Sequence, residues 1–195
     1  MRFLWLFAAS VLAVSGAQAQ TSGISGCNFD NDVDVQIASC TAVISDPKSE
    51  GVVLSDAYLY RCQGHDRKGE FEQALKDCQE ALRLDADNGS IHKSLSIVYL
   101  NLGRPLDAVS AGQRAVQLMP EDSTAFNTLA NAACAADDFS RSFDSRMRAF
   151  ELGRFSAEGL QSALKRRGYY DGPVDDQFGE GSRAALLKWT EAGCP

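Results

Sequence analysis

The groups best equipped for chemistry in this chain are six cysteines, two histidines and a surplus of carboxylates. Cys27, Cys40, Cys62, Cys78, Cys134 and Cys194 contain no CxxC pair, and His65 and His92 each stand alone, so the ligand spacing of a metal site is missing. Asp30, Asp32 and Asp34 alternate like the opening of a calcium loop. The glycine that should follow is Val35 and the closing glutamate is Thr41, so the loop fails. These carboxylates are read instead as a helix start, with Asp30 or Asp32 accepting from free backbone N–H groups. No Ser/His/Asp arrangement can be placed, and acidic residues are too abundant for a glycosidase pair to be singled out. The expectation is a protein with no catalytic residues, no metal and no cofactor.

What the cysteines do instead depends on the compartment. Arg2 supplies a short positive region, Phe3 to Val14 an apolar core and Ala17-Gln18-Ala19 a small-x-small cleavage site, so residues 1–19 read as a secretory signal peptide. The apolar run is too short for a membrane span. Ile24-Ser25-Gly26-Cys27 looks like a lipobox, but Ser15 to Gly23 separate it from the apolar core. Lipidating Cys27 would also leave an odd number of cysteines, so conventional cleavage is expected. An even number of cysteines in an exported chain reads as three disulfides, for which 15 pairings exist.

The formal net charge is −7 and becomes −8 once the leader's arginine is removed. From Arg154 onward six basic and six acidic residues cancel, so the acidity belongs to the segment before it. Nucleic acid and anionic lipid both require positive charge, and both are set aside as partners.

The central stretch repeats itself. Ala74, Ala81 and Leu84 recur 34 residues later as Ala108, Ala115 and Leu118, and Ala149 and Leu152 follow after another 34. Leu95-Ser96 becomes Leu129-Ala130, and Gly103 becomes Asp137. This period belongs to helix–turn–helix units that bury their apolar faces against their neighbours. Tyr58, Ala74 and Ala81, then Tyr99, Gly103, Ala108, Ala115 and Pro120, then Phe126, Leu129, Ala130 and Ala149 carry a pattern that resembles the tetratricopeptide repeat.

That resemblance implies an all-α solenoid over residues 20–153, with about three repeats and an N-terminal half-repeat from Cys27 to Pro47. Helices are expected at 32–45, 56–67, 71–84, 90–101, 106–118, 124–135 and 139–151. His65 falls in a tyrosine slot and His92 in an aromatic slot, so both are read as packing residues. Cys62 takes the small-residue slot of its helix and Cys78 an aromatic slot opposite it, close enough for a disulfide. Cys27 and Cys40 would pin the lead-in to the first helix, which leaves Cys134 and Cys194 to pair by elimination.

In tetratricopeptide proteins the first helices of each unit line a concave surface that holds an extended peptide. The resemblance places Leu59, Gln63 and Arg67, then Lys93, Ile97 and Asn101, then Asn127, Asn131 and Cys134 on it. Arg67, Lys93, Ile97, Asn101, Asn127 and Asn131 are the candidate contacts for an unidentified protein or peptide partner, holding its backbone or a carboxylate.

A second pattern fills the end of the chain: Leu160-Gln161, Leu164, Gly168-Tyr169-Tyr170, Gly172-Pro173-Val174-Asp175, Phe178-Gly179, Ser182-Arg183 and Ala185-Leu186. It resembles the small three-helix peptidoglycan-binding-like domain, here at residues 154–195. Leu160, Leu164, Leu186 and Trp189 have the spacing of helical core residues, with Phe178 plugging that core. Asp176 stands where the family has glycine, at a backbone site expected to need positive φ. The resemblance implies a site for a glycan or stem peptide made by Tyr169, Tyr170, Asp171, Asp175, Gln177 and Arg183, an aromatic platform beside charged groups.

Two readings follow. In the first, a periplasmic adaptor of a Gram-negative bacterium touches peptidoglycan with its last domain and holds a protein partner on its repeats. In the second, the last domain is only a disulfide-stapled cap on a protein-interaction scaffold. An exposed patch of Tyr169, Tyr170 and Arg183 would favour the first.

Overall fold

The computed structural model describes residues 27–28 and 32–194. The signal peptide with its cleavage site, the lipobox-like stretch ahead of Cys27, and Asp30 lie outside the described residues. Nine helices and no strand occur among the described residues: α1 (Val33–Ser45), α2 (Gly51–Arg67), α3 (Phe71–Leu84), α4 (Gly89–Asn101), α5 (Pro105–Leu118), α6 (Ser123–Ala135), α7 (Phe139–Glu151), α8 (Ala157–Arg166) and α9 (Glu180–Glu191). The α2 helix begins five residues before the expected Asp56. Gly51 enters it with φ 57°, and Val52 to Ser55 continue the helix with no breaker among them.

The helices pack as three successive hairpins, α2–α3, α4–α5 and α6–α7, each stacked on the next, with α1 laid against α2. Side chains at 34-residue intervals explain the stack. Ala57, Ile91 and Ala125 are buried at one recurring position, and Ala81, Ala115 and Ala149 at another. The alanines there let the backbones approach closely enough for the helix faces to interlock. The turns recur as well. Gly69, Gly103 and Asp137 have φ of 78°, 68° and 57°. The next residue in each turn donates its N–H back five residues, Glu70 to His65 O, Arg104 to Tyr99 O and Asp138 to Ala133 O. This is the Schellman closure of a helix end.

Side chains cap the helix starts. Asp32, Asn88, Asp122 and Ser156 each accept from a backbone N–H of the first turn of α1, α4, α6 and α8. The helix-start role read for Asp32 is therefore present, with Oδ1 3.0 Å from the Asp34 nitrogen. The first hairpin carries a half-buried ion pair in which the Arg61 guanidinium meets both oxygens of Asp77 at 2.7 Å. His65 reaches Glu70 Oε2 at 2.6 Å, and His92 Nε2 lies 2.9 Å from Ala86 O. Both histidines thus make polar contacts in addition to packing.

Three disulfides are present: Cys27–Cys40, Cys62–Cys78 and Cys134–Cys194, with Cα separations of 4.8, 5.4 and 6.4 Å. All three pairings follow the expectation. The first ties the lead-in to α1, the second locks α2 to α3, and the third joins α6 to the segment after α9.

The C-terminal segment differs from the expected three-helix bundle, because residues 154–195 contribute two helices among the described residues. The third wall is α7. Met147 packs with Leu160, Leu164, Ala185 and Leu186, and Phe143, Phe150, Phe155, Phe178 and Trp189 close around them. Phe150 and Phe178 rings lie 4.5 Å apart. A segment this short encloses little core alone, so it completes its core on a repeat helix. Asp176 is not among the residues with positive φ, so the substitution for glycine strains nothing there.

Candidate wall-binding loop and repeat groove

The loop between α8 and α9 is built around Gln161. Its side chain is fully buried, and its amide nitrogen donates to Asp175 Oδ1 at 3.1 Å, Gln177 O at 2.9 Å and Ser182 Oγ at 3.0 Å. Its amide oxygen accepts from the Asp175 nitrogen at 2.8 Å. Every polar atom of the buried amide is therefore matched, which fixes the loop's path. Asp175 Oδ1 also accepts from the Gln177 nitrogen, so this carboxylate is committed to the loop.

Tyr170 closes the other side. Its hydroxyl donates to Pro173 O at 2.8 Å, and a Cβ at Gly172 would fall 2.6 Å from the ring. Any side chain at 172 would have to push the tyrosine ring off the loop. Both Tyr169 and Tyr170 are half-buried against the core shared with α7. Asp171, Gln177 and Arg183 are exposed. Of the six residues expected to form one platform, the loop gathers Tyr170, Asp175 and Gln177 by direct contacts, and both tyrosine rings are partly spent on packing.

The repeat face presents a groove of about 640 Å³ crossing the first helices of all three hairpins. Gln63 and Arg67 from α2, Lys93 and Ile97 from α4, Thr124 from α6 and Arg154 line it. Asp66 is the carboxylate among the lining residues. Burial raises its pKa, and a hydrogen bond from Asn101 at 2.7 Å works the other way. Lys93 Nζ bridges Asp122 Oδ2 at 3.0 Å and Thr124 Oγ1 at 2.9 Å, and Gln63 donates to Ser94 Oγ. Arg67 donates to Gln36 of α1 at 2.8 Å.

Three of the six candidate partner contacts, Arg67, Lys93 and Ile97, meet in this groove. Asn101 is tied to Asp66, and Asn127 is half-buried outside it. Asn131 accepts from Arg146 at 3.2 Å and lines a different pocket beside Cys134 and Cys194. Leu59, placed on the same face by its register with Lys93, is instead buried in the core of the first two hairpins. A leucine there gains more from packing than from the surface. Cys134 is likewise taken by its disulfide. Arg154 was missed by sequence reasoning because it follows the last repeat and no local pattern points it back to α4.

Residues 150–193 match the family described as "Putative peptidoglycan binding domain". The match begins within the last turns of α7 and so includes Phe150 of the shared core. No curated protein matches the chain. The three disulfides together with this match are consistent with an extracytoplasmic location, and among the described residues no helix is long and apolar enough to cross a membrane.

Proposed function

We propose that this chain is a non-catalytic adaptor of the bacterial envelope, exported to the periplasm of a Gram-negative cell. Its C-terminal domain associates with peptidoglycan. Its tetratricopeptide-type repeats hold an extended segment of a protein partner along Gln63, Arg67, Lys93 and Ile97. The match over residues 150–193 carries the wall half of this reading. The groove across three hairpins supports the partner half, since guanidinium and ammonium groups beside Ile97 suit an acidic or carboxylate-bearing peptide.

The second reading is a scaffold whose last domain is only a cap. The packing of Tyr169 and Tyr170 against α7 and the Cys134–Cys194 bond favour it. Co-sedimentation with purified sacculi separates the two. The oxidised protein is expected to pellet with sacculi, and the exposed changes Asp171→Ala and Arg183→Glu together are expected to leave it in the supernatant. A wild-type protein that stays in the supernatant would overturn the wall reading and leave the cap.

A further inference from the structure

The 34-residue register aligns Arg146 with Cys78 and Gly112, positions where paired helices approach most closely. In the first hairpin this position is bonded to Cys62. In the second, a Cβ at Gly112 would lie 3.2 Å from both Ser96 Oγ and Leu129 Cδ1. The third hairpin places an arginine in this slot, opposite Ala130. Arg146 is 7% exposed, and its Nε is buried with no hydrogen-bond partner. Its Nη2 donates to Asn131, and its guanidinium stacks over the Trp189 ring at 4.7 Å. Arg167 stands over the same indole at 5.8 Å. Burial, and then the neighbouring Arg167, lowers the Arg146 pKa to about 10. Among the described residues no carboxylate forms an ion pair with Arg146.

A buried cation without an anion is costly, and the cost is offset when an anion arrives. A cavity of about 190 Å³ opens beside it, between α7, α8 and α9. Phe155, Leu160, Ala163 and Leu164 give it apolar walls, and Arg146, Arg167 and Trp189 also line it. The lining residues hold no acidic group, so a positive end meets an apolar interior.

We infer that this cavity binds a small monocarboxylate, its head at the Arg146 and Arg167 guanidinium groups and its carbon chain along Leu160, Ala163 and Phe155. Guanidinium–carboxylate hydrogen bonds are charge-assisted and directional, which suits this end of the cavity. An apolar cavity of about 150 Å³ accepts benzene, so this one accommodates a chain of about five carbons. Two sources present that chemistry, a free short-chain acid and the terminal carboxylate of a short peptide. The site stands independently of wall binding.

The test titrates the oxidised mature chain from Gln20 onward, the exported form proposed above, in which Trp189 is the only tryptophan. Hexanoate and N-acetyl-alanyl-alanine are the two probes, with hexanamide and the peptide's C-terminal amide as neutral counterparts. Indole fluorescence and calorimetry are the readouts. Saturable binding of hexanoate, of the peptide or of both is expected, with the amides weaker by roughly tenfold or more. Binding by hexanoate alone assigns the free acid, and binding by the peptide assigns a chain terminus. The exposed change Arg167→Gln should weaken the carboxylate by roughly tenfold at an unchanged melting temperature. Ala163→Leu, which fills the cavity, should abolish binding. The inference is overturned by no saturable response to either carboxylate at millimolar concentration, by amides that bind equally, or by affinities unchanged in both variants.

Discussion

Asp122 caps α6 and holds Lys93 from α4, so one carboxylate serves a helix start and a contact between hairpins. Burial works to raise its pKa. Hydrogen bonds from Thr124 Oγ1, Lys93 and the backbone nitrogens of Thr124 and Ala125 outweigh this and bring it down to about 2. Because the folded value lies below the unfolded one, the carboxylate stabilises the fold fully above about pH 4 and loses that effect as pH falls toward 2. Asp122→Ala is expected to cost about 1 kcal/mol at neutral pH in urea titration. The difference from wild type should shrink as the titration is repeated at lower pH. Arg146 presents the opposite case, a charge whose burial opposes folding. Arg146→Met should raise stability by about 1–2 kcal/mol, read as a higher urea midpoint, because an apolar chain of similar volume replaces an uncompensated ion. A lower midpoint would show that the bond to Asn131 and the indole stacking outweigh that burial.

Among the elements, the repeat turns share one backbone shape across Gly69, Gly103 and Asp137. Glycine adopts that shape freely, whereas a Cβ is crowded by the following carbonyl. Asp137→Gly should therefore stabilise the third hairpin by about 1 kcal/mol, measured by thermal melting, provided the Asp138 cap is retained. Helix bounds in the repeats were legible to within one residue, apart from the five-residue extension at the start of α2, because the alanine period and these turns mark every hairpin. The Cys62–Cys78 pair was legible for the same reason, since register fixes which helices face each other, whereas Cys134–Cys194 followed only by elimination. Gln161 was not legible as the centre of its loop, because a buried glutamine and an exposed one look alike until their partners are known. Nor was the double duty of α7. Ser142, Ser145 and Ala149 face its hairpin partner, while Phe143, Met147 and Phe150 form a second stripe that a single-repeat reading leaves unassigned. The surface platform of Tyr169 and Tyr170 came from the resemblance to the peptidoglycan-binding-like domain, yet that second stripe gives both rings a core to pack on.

For the whole molecule, the joint between repeats and C-terminal domain is both a shared core and a covalent bond. Cys134 and Cys194 are 60 residues apart in sequence. In the chain-entropy picture a closure of that length stabilises by about 4 kcal/mol. Replacing both cysteines by serine should lower the urea midpoint and raise amide exchange in α8 and α9 before it does so in α2 and α3. Equal exchange across both regions would mean the shared core alone holds the joint. The same bond also sets how a pulling force travels. Tension applied to the chain's two ends passes from residue 194 straight into α6, so α7, α8 and the loop around Gln161 bear none of it. The stretch between the cysteines, a sequence separation of 60, forms a slack loop hidden from extension, worth roughly 200 Å of contour at full stretch. Single-molecule stretching of the oxidised protein should gain that length when Cys134 and Cys194 are both replaced by serine, over and above the smaller loops that Cys27–Cys40 and Cys62–Cys78 keep closed. Loaded at its two ends, the oxidised chain would thereby carry its strain through α1 to α6, leaving the C-terminal domain folded while they yield.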